Sequence, residues 1–287
     1  DVGPRVDGIE GLPRVTAADL VAANAARAAQ ALRALQEFAL VLRPAIAPRF
    51  ESLRYRLYDL ERGALATFRA RDRLAGVTLC VLVDGRHDRD AFARLVDGLF
   101  AAGVRMLQVR DKALGVPHLA DRAALAVELA RRHDGPVRPI VVVNDRPDVA
   151  VAVHADGVHV GAEDLPVGMV RRVVGPDLLV GRTAHDIDEA RAAVLAGADS
   201  LGVGPCFPSS TKTFATSAAP EFLAAVATSI ALPSFAIGGV TVERLDTLLE
   251  EGLSRVAVAA AITESADPPA MATRFLDRLR SRESGTP

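Results

Sequence analysis

The stretch RPIVVVNDRPDVAVAVHADGVHVGAEDLP, residues 138–166, decides the fold. It holds two short apolar runs, RPIVVVN and ADGVHV, joined by a helical segment. Neither run alternates apolar with polar side chains as a half-exposed strand would. Continuous apolar runs belong to strands covered on both faces, as in a parallel sheet. Each run also ends abruptly in polar residues, Asn144–Asp145 after the first and Glu163–Asp164 after the second. Two such units in 29 residues predict a repeating β/α architecture with chemistry at the carboxyl ends of its strands.

The same pattern extends in both directions. Upstream lie VTLCVLV (77–83) and GVRMLQV (103–109); downstream lie DLLVGR (177–182), DSLGVG (199–204), PSFAIGG (233–239) and RVAVAAA (255–261). Amphipathic helical patterns separate them, among them residues 88–103, 116–132, 186–197, 241–252 and 268–282. Eight units predict an α/β fold, a (β/α)8 TIM barrel, over residues 76–287. A doubly wound sheet would carry a G-x-G-x-x-G after its first strand, and LVDGRHD supplies none. Residues 1–75 read differently. A helix is expected from Thr16, which forms a capping box with Asp19, to Leu42, and a second over 48–68, with Pro44 and Pro48 between them. The barrel is thus preceded by an N-terminal α-helical hairpin, expected either to dock against the barrel or to form a homo-oligomer.

Bulk properties narrow the function. The 287 residues carry a formal net charge of −2, which leaves no electrostatic footprint for nucleic acid. Two cysteines, Cys80 and Cys206, suggest neither a disulfide framework nor a zinc site and fit a reduced cytoplasm. No signal-peptide apolar core is present in residues 1–14, and charge interrupts every apolar run before it could span a membrane. The expected partners are small molecules, not nucleic acid or lipid.

Residue usage singles out one rim. Lysine occurs only at Lys112 and Lys212; the other 32 basic side chains are arginine. In the barrel region Gln108 and Asn144 are the sole Gln and Asn. All four lie just after strand runs, where a TIM barrel builds its active site. Arg110, Lys112 and Lys212 gather cations suited to a phosphate or diphosphate. Asp145 and Asp164, at the ends of successive strands, suit one Mg²⁺ ion, which takes few carboxylates together with phosphate oxygens and water. Helix capping is the competing reading for each aspartate. Gly238 and Gly239 follow the seventh strand, where barrel loops hold a phosphate through backbone N–H groups, and Ser209, Ser210 and Thr211 could add hydroxyls. His185 lies on the rim, where it could be catalytic; His159 reads as a residue packed in its strand or supporting a neighbouring site residue. The residues alone therefore point to a Mg²⁺-dependent barrel enzyme with a diphosphate subsite and a separate monophosphate subsite.

The motifs QVRDK (108–112), NDRPDVAVAVHADGVHVGAEDLP (144–166), GRTAHDIDEA (181–190), GADSLGVGPCFPSSTK (197–212), AIGGV (236–240) and RVAVAAAI (255–262) resemble, in order and spacing, the thiamine phosphate synthase family. The resemblance implies transfer of a pyrimidinylmethyl group from its diphosphate to a thiazole phosphate, giving thiamine monophosphate and diphosphate. It implies that Gln108, Val109, Arg110, Asp111, Lys112, Asn144, Thr183 and Lys212 bind the pyrimidine diphosphate. Arg110, Lys112, Thr183 and Lys212 would be the catalytic set, and Asp145 and Asp164 the Mg²⁺ ligands. Ser209, Ser210, Thr211, Gly238, Gly239, Ala259 and Ala260 would bind the thiazole phosphate. Departures are Cys80 where a tyrosine is common, Ala260 in place of a serine and Arg255 in place of a glycine. The alternatives are a thiazole tautomerase using His185 as acid and base, and a non-catalytic binder of thiamine precursors.

Overall fold

The structure, a computed structural model, describes residues 16–208 and 218–283. The chain divides into two compact units, residues 1–68 and 69–287. The first holds most of two long helices, α1 (Ala17–Leu42) and α2 (Ala47–Arg73), separated by a 3-10 turn that begins at Pro44. The expected capping box opens α1: the Asp19 N–H donates to Thr16 Oγ1 at 3.1 Å, and the Thr16 N–H donates to Asp19 Oδ2 at 2.9 Å. Among the described residues no helix is long and apolar enough to cross a membrane.

The second unit is a closed barrel of eight parallel strands in sequence order. They are β1 (Leu79–Val83), β2 (Met106–Val109), β3 (Ile140–Asn144), β4 (Gly157–Val160), β5 (Leu179–Ala184), β6 (Ser200–Val203), β7 (Ser234–Ile237) and β8 (Val256–Val258). Every apolar run named above supplies one strand. β8 returns to pair with β1, with Cys80 opposite Ala257. The helices between strands are α3 (Arg89–Ala101), α4 (Val116–Arg132), α5 (Pro147–Ala152), α6 (Val167–Val174), α7 (Ile187–Leu195), α8 (Pro220–Ser229) and α9 (Leu245–Glu250). After β8 come α10 (Ala260–Thr263) and α11 (Pro268–Glu283).

Side chains on a strand alternate between two faces, and here both faces are covered. The outward set, including Val81, Val83, Leu107, Val109, Val141 and Val143, packs with helix residues such as Phe92, Leu99 and Phe275 into the main core. The inward set forms a second, smaller core of Cys80, Leu82, Met106, Val142, Leu179, Phe235 and Ala257. Register then assigns the polar exceptions. Gln108 pairs with Val142, and Asn144 with His159, so the inward positions nearest the carboxyl rim turn polar strand by strand.

Candidate active site

The inward positions and the carboxyl-end loops enclose one cavity of about 650 Å³. Its deeper wall is apolar, with Cys80, Leu82, Met106, Phe235 and Ala257; its mouth is polar and charged. Burial pushes the Cys80 thiol up to about 12, so it stays protonated and acts as a small apolar side chain. Cys206, also buried, is likewise pushed up to about 12.

The sequence-predicted residues converge here. Gln108, Arg110, Lys112, Asn144, Asp145, Asp164, Thr183, Gly238, Gly239, Ala259 and Ala260 all line the cavity. Gln108 and Asn144 are 5% and 9% exposed as whole residues, and neither side-chain amide has a hydrogen-bond partner among the described residues. Amides that line the cavity without a protein partner are available to hydrogen-bond a ligand there.

Two of the expected residues do not line the cavity. Val109 points outward and is fully buried in the outer core, because the strand period of two turns it away from Gln108. Asp111 does not line the cavity. Its carboxylate accepts from the N–H groups of Gly85 at 3.0 Å, Ala113 at 2.9 Å and Leu114 at 3.0 Å, so it shapes the β2–α4 loop and ties it to the loop after β1. Ser209, Ser210, Thr211 and Lys212 lie outside the described residues.

The two aspartates are not helix caps. The cap positions of α5 and α6 are Arg146 and Pro166, and no side chain caps either helix. Asp145 sits in a left-handed turn at φ 60°, with its N–H donating to the His159 carbonyl at 2.8 Å. That turn sets its carboxylate within hydrogen-bonding reach of Asp164. Asp164 in turn accepts from the Gly161 N–H at 2.7 Å. Burial raises the Asp145 carboxyl above its usual range, the contact and charge of Asp164 raise it further, and Lys112 and Arg110 pull it back. Lys112 Nζ lies 3.6 Å from Asp145 Oδ2. Two adjacent carboxylates, with the ionisation of Asp145 disfavoured by its neighbour, fit a divalent cation, which removes that repulsion.

His159 and His185, both singled out in the sequence, join the site together with Arg182, which was not. The His159 ring lies over Gly181 and Gly202, and its Nε2 is 2.9 Å from Thr183 Oγ1. Arg182, on the outer face of β5, donates to the Gly161 carbonyl and holds the loop that carries Asp164. His185 Nδ1 lies 2.6 Å from the Gly204 carbonyl.

On the opposite side, the loops after β6 and β7 are laced together. The Cys206 and Phe207 N–H groups donate to Ile237 and Gly238 at 2.8 and 3.0 Å. Gly238 and Gly239 have φ of 93° and 63°. A Cβ on Gly239 would lie 2.5 Å from the Pro208 carbonyl oxygen, so only glycine fits this crossing. The neighbouring N-terminus of α10 has no side-chain cap, and Ala259, Ala260 and Ala261 present it to the cavity.

A family model described as thiamine monophosphate synthase matches residues 79–262, and one described as the ThiD2 family matches residues 1–63. The thiamine-phosphate synthase of Gloeobacter violaceus is 38% identical over 91% of this chain and 74% of its own length. That of Streptomyces avermitilis is 40% identical over 74% of this chain and 97% of its own length. The solved thiamine phosphate pyrophosphorylase of Pyrococcus furiosus superposes with a TM-score of 0.63 at 27% identity, covering 71% of this chain and 96% of that one. A family model spanning the barrel from β1 to α10, and relatives this similar over most of the chain, establish that the chain belongs to the thiamine monophosphate synthase family.

Proposed function

We propose that the rim cavity is where this thiamine-biosynthetic transferase joins a pyrimidinylmethyl diphosphate to a thiazole phosphate, in the cytoplasm. The observation that carries the assignment of roles is the pairing of two cavity-lining amides without protein partners, Gln108 and Asn144, with the adjacent carboxylates Asp145 and Asp164 at one mouth. The amides would hold the ring of the aminopyrimidine. Arg110 and Lys112, with Lys212 from the sixth loop, would bind its diphosphate. Asp145 and Asp164 would hold Mg²⁺, which when bound supplies charge neutralisation to the diphosphate.

The reaction breaks the bond between the methylene carbon and the diphosphate oxygen, and the electron pair leaves with diphosphate. Arg110, Lys112 and Lys212 stabilise the growing negative charge on the leaving group. The aminopyrimidine delocalises the positive charge left on the methylene. The thiazole nitrogen then gives its lone pair to that carbon. Thr183, oriented by His159, contributes its hydroxyl beside the pyrimidine. Gly238, Gly239 and the Ala259–Ala260 backbone, with Ser209, Ser210 and Thr211, would hold the thiazole phosphate, in its plain form or in a carboxylated form that also releases CO2 on the way to thiamine monophosphate. Catalysis is then positioning and electrostatics, without a protein nucleophile. Residues 1–75 are proposed to form a helical domain that serves homo-oligomer formation. Its exposed Phe38, Val41 and Leu42 support that role.

The test is direct. Protein, Mg²⁺ and both phosphorylated precursors are expected to yield thiamine monophosphate and diphosphate in equal amounts. Asp145→Asn and Asp164→Asn should each raise the half-saturating Mg²⁺ concentration about tenfold or more. Unchanged Mg²⁺ dependence in both would remove the metal assignment.

A further inference from the structure

Arg244 has no role in the reading above, yet it lines the cavity on the side of β7 and β8. It ends the 3-10 turn Val242–Arg244 that follows Gly238 and Gly239. Its guanidinium is fixed in three ways. Nη1 donates to the Gly239 carbonyl at 2.6 Å and reaches the Pro208 carbonyl at 3.5 Å, and Cζ lies 5.1 Å from the centre of the Phe207 ring. None of these contacts neutralises its charge. No carboxylate among the described residues lies within ion-pair distance of it; its neighbour Glu243 reaches Arg274 instead, at 3.9 Å. The Nε and Nη2 groups have no partner among the described residues.

The other cavity arginine and lysine, Arg110 and Lys112, both act on Asp145 at the opposite mouth. Arg244 therefore supplies the one guanidinium or ammonium among the described cavity residues beside the glycine loop and the uncapped start of α10. A planar fork that is stacked, anchored at one nitrogen and open along its remaining edge is suited to a phosphate.

We propose that Arg244 is a substrate-binding residue that reads the monophosphate of the second substrate. The inference rests on the monophosphate subsite proposed above. Its bond to the Gly239 carbonyl has a second effect: it holds the loop with its N–H groups free for the same phosphate. Arg244 thereby makes the enzyme selective for the phosphorylated thiazole over its alcohol.

The experiment compares wild type, Arg244→Met, Arg244→Lys and Gly239→Ala with the thiazole phosphate, with the unphosphorylated thiazole alcohol and with the pyrimidine diphosphate. Arg244→Met is expected to raise KM for the thiazole phosphate about ten- to a hundredfold, while KM for the alcohol and for the pyrimidine diphosphate stays within about twofold. Arg244→Lys should recover part of the loss. Equal losses with phosphate and alcohol would show a purely structural role and overturn the inference, as would an unchanged KM for the phosphate. If Gly239→Ala raises the phosphate KM and Arg244→Met does not, the subsite stands and Arg244 is excluded from it. If neither variant changes it, the subsite itself is misplaced.

Discussion

His159 fixes the identity of two residues on neighbouring strands. A Cβ on Gly181 would lie 2.4 Å from its Nδ1, and one on Gly202 would lie 3.3 Å from Cε1. Gly181→Ala should therefore push the ring off Thr183. We expect a loss of about 1–3 kcal/mol in denaturant titrations together with reduced turnover. A wild-type midpoint in this variant would show that the ring has room to move. Burial holds the imidazole at about 4, below the ordinary 6.5; Arg182 and Arg110 reinforce this and Asp164 opposes it. The unfolded chain takes up that proton below 6.5, whereas the folded protein resists it until about 4. Stability is therefore intact above 6.5 and falls through that window, by at most about 3 kcal/mol. His159→Gln should flatten this part of the pH–stability curve, and an unchanged slope would assign it to other groups. Residues such as Gln108, Asn144 and Lys112 were legible because they break the chain's compositional habit. His159 was legible only in outline, as a strand histidine that packs or supports the site, since its contacts depend on which face of β4 it occupies and on the absence of side chains beside it.

At the level of elements, the loop between β4 and α6 is held from two directions at one residue. Asp164 takes the Gly161 N–H, and Arg182 takes the Gly161 carbonyl with a weaker reach to Ala162 at 3.5 Å. Arg182 thus acts as a positioning residue for a proposed metal ligand without touching the substrate. Arg182→Met is expected to weaken Mn²⁺ binding, read by electron paramagnetic resonance, about tenfold, with KM for the thiazole phosphate unchanged. Equal Mn²⁺ affinity in the variant would show that Asp164 holds its place unaided. The strands themselves were readable because burial on both faces forces continuous apolar runs. The clamps between loops were not, because in a chain with 32 arginines neither Arg182 nor Arg244 stands out by type. Within the same motif the pleat turns the Val109 side chain outward, and three backbone donors bind Asp111.

For the whole molecule, the two units differ in what holds them together. The barrel unit buries large side chains, including Phe92, Phe100, Leu107 and Phe275. The buried hydrophobic residues of residues 16–68 are alanines only, Ala25, Ala29, Ala39, Ala47 and Ala66, while Phe38, Val41 and Leu42 are 68%, 81% and 75% exposed. Alanine burial removes little area from water, so the first unit contributes little hydrophobic stabilisation of its own. Every described residue lining the cavity belongs to the barrel unit. The Streptomyces avermitilis synthase aligns over 97% of its length to 74% of this chain. A chain of residues 69–287 keeps the buried Ala70 and Leu74 and should melt cooperatively, with kcat and both KM values within about threefold of the full chain. Sedimentation of the two forms side by side would then isolate the role of the helices. If they join copies of the chain, the full form sediments as an oligomer and the shortened one as a monomer. If the shortened chain unfolds or loses turnover, the helices instead complete the barrel.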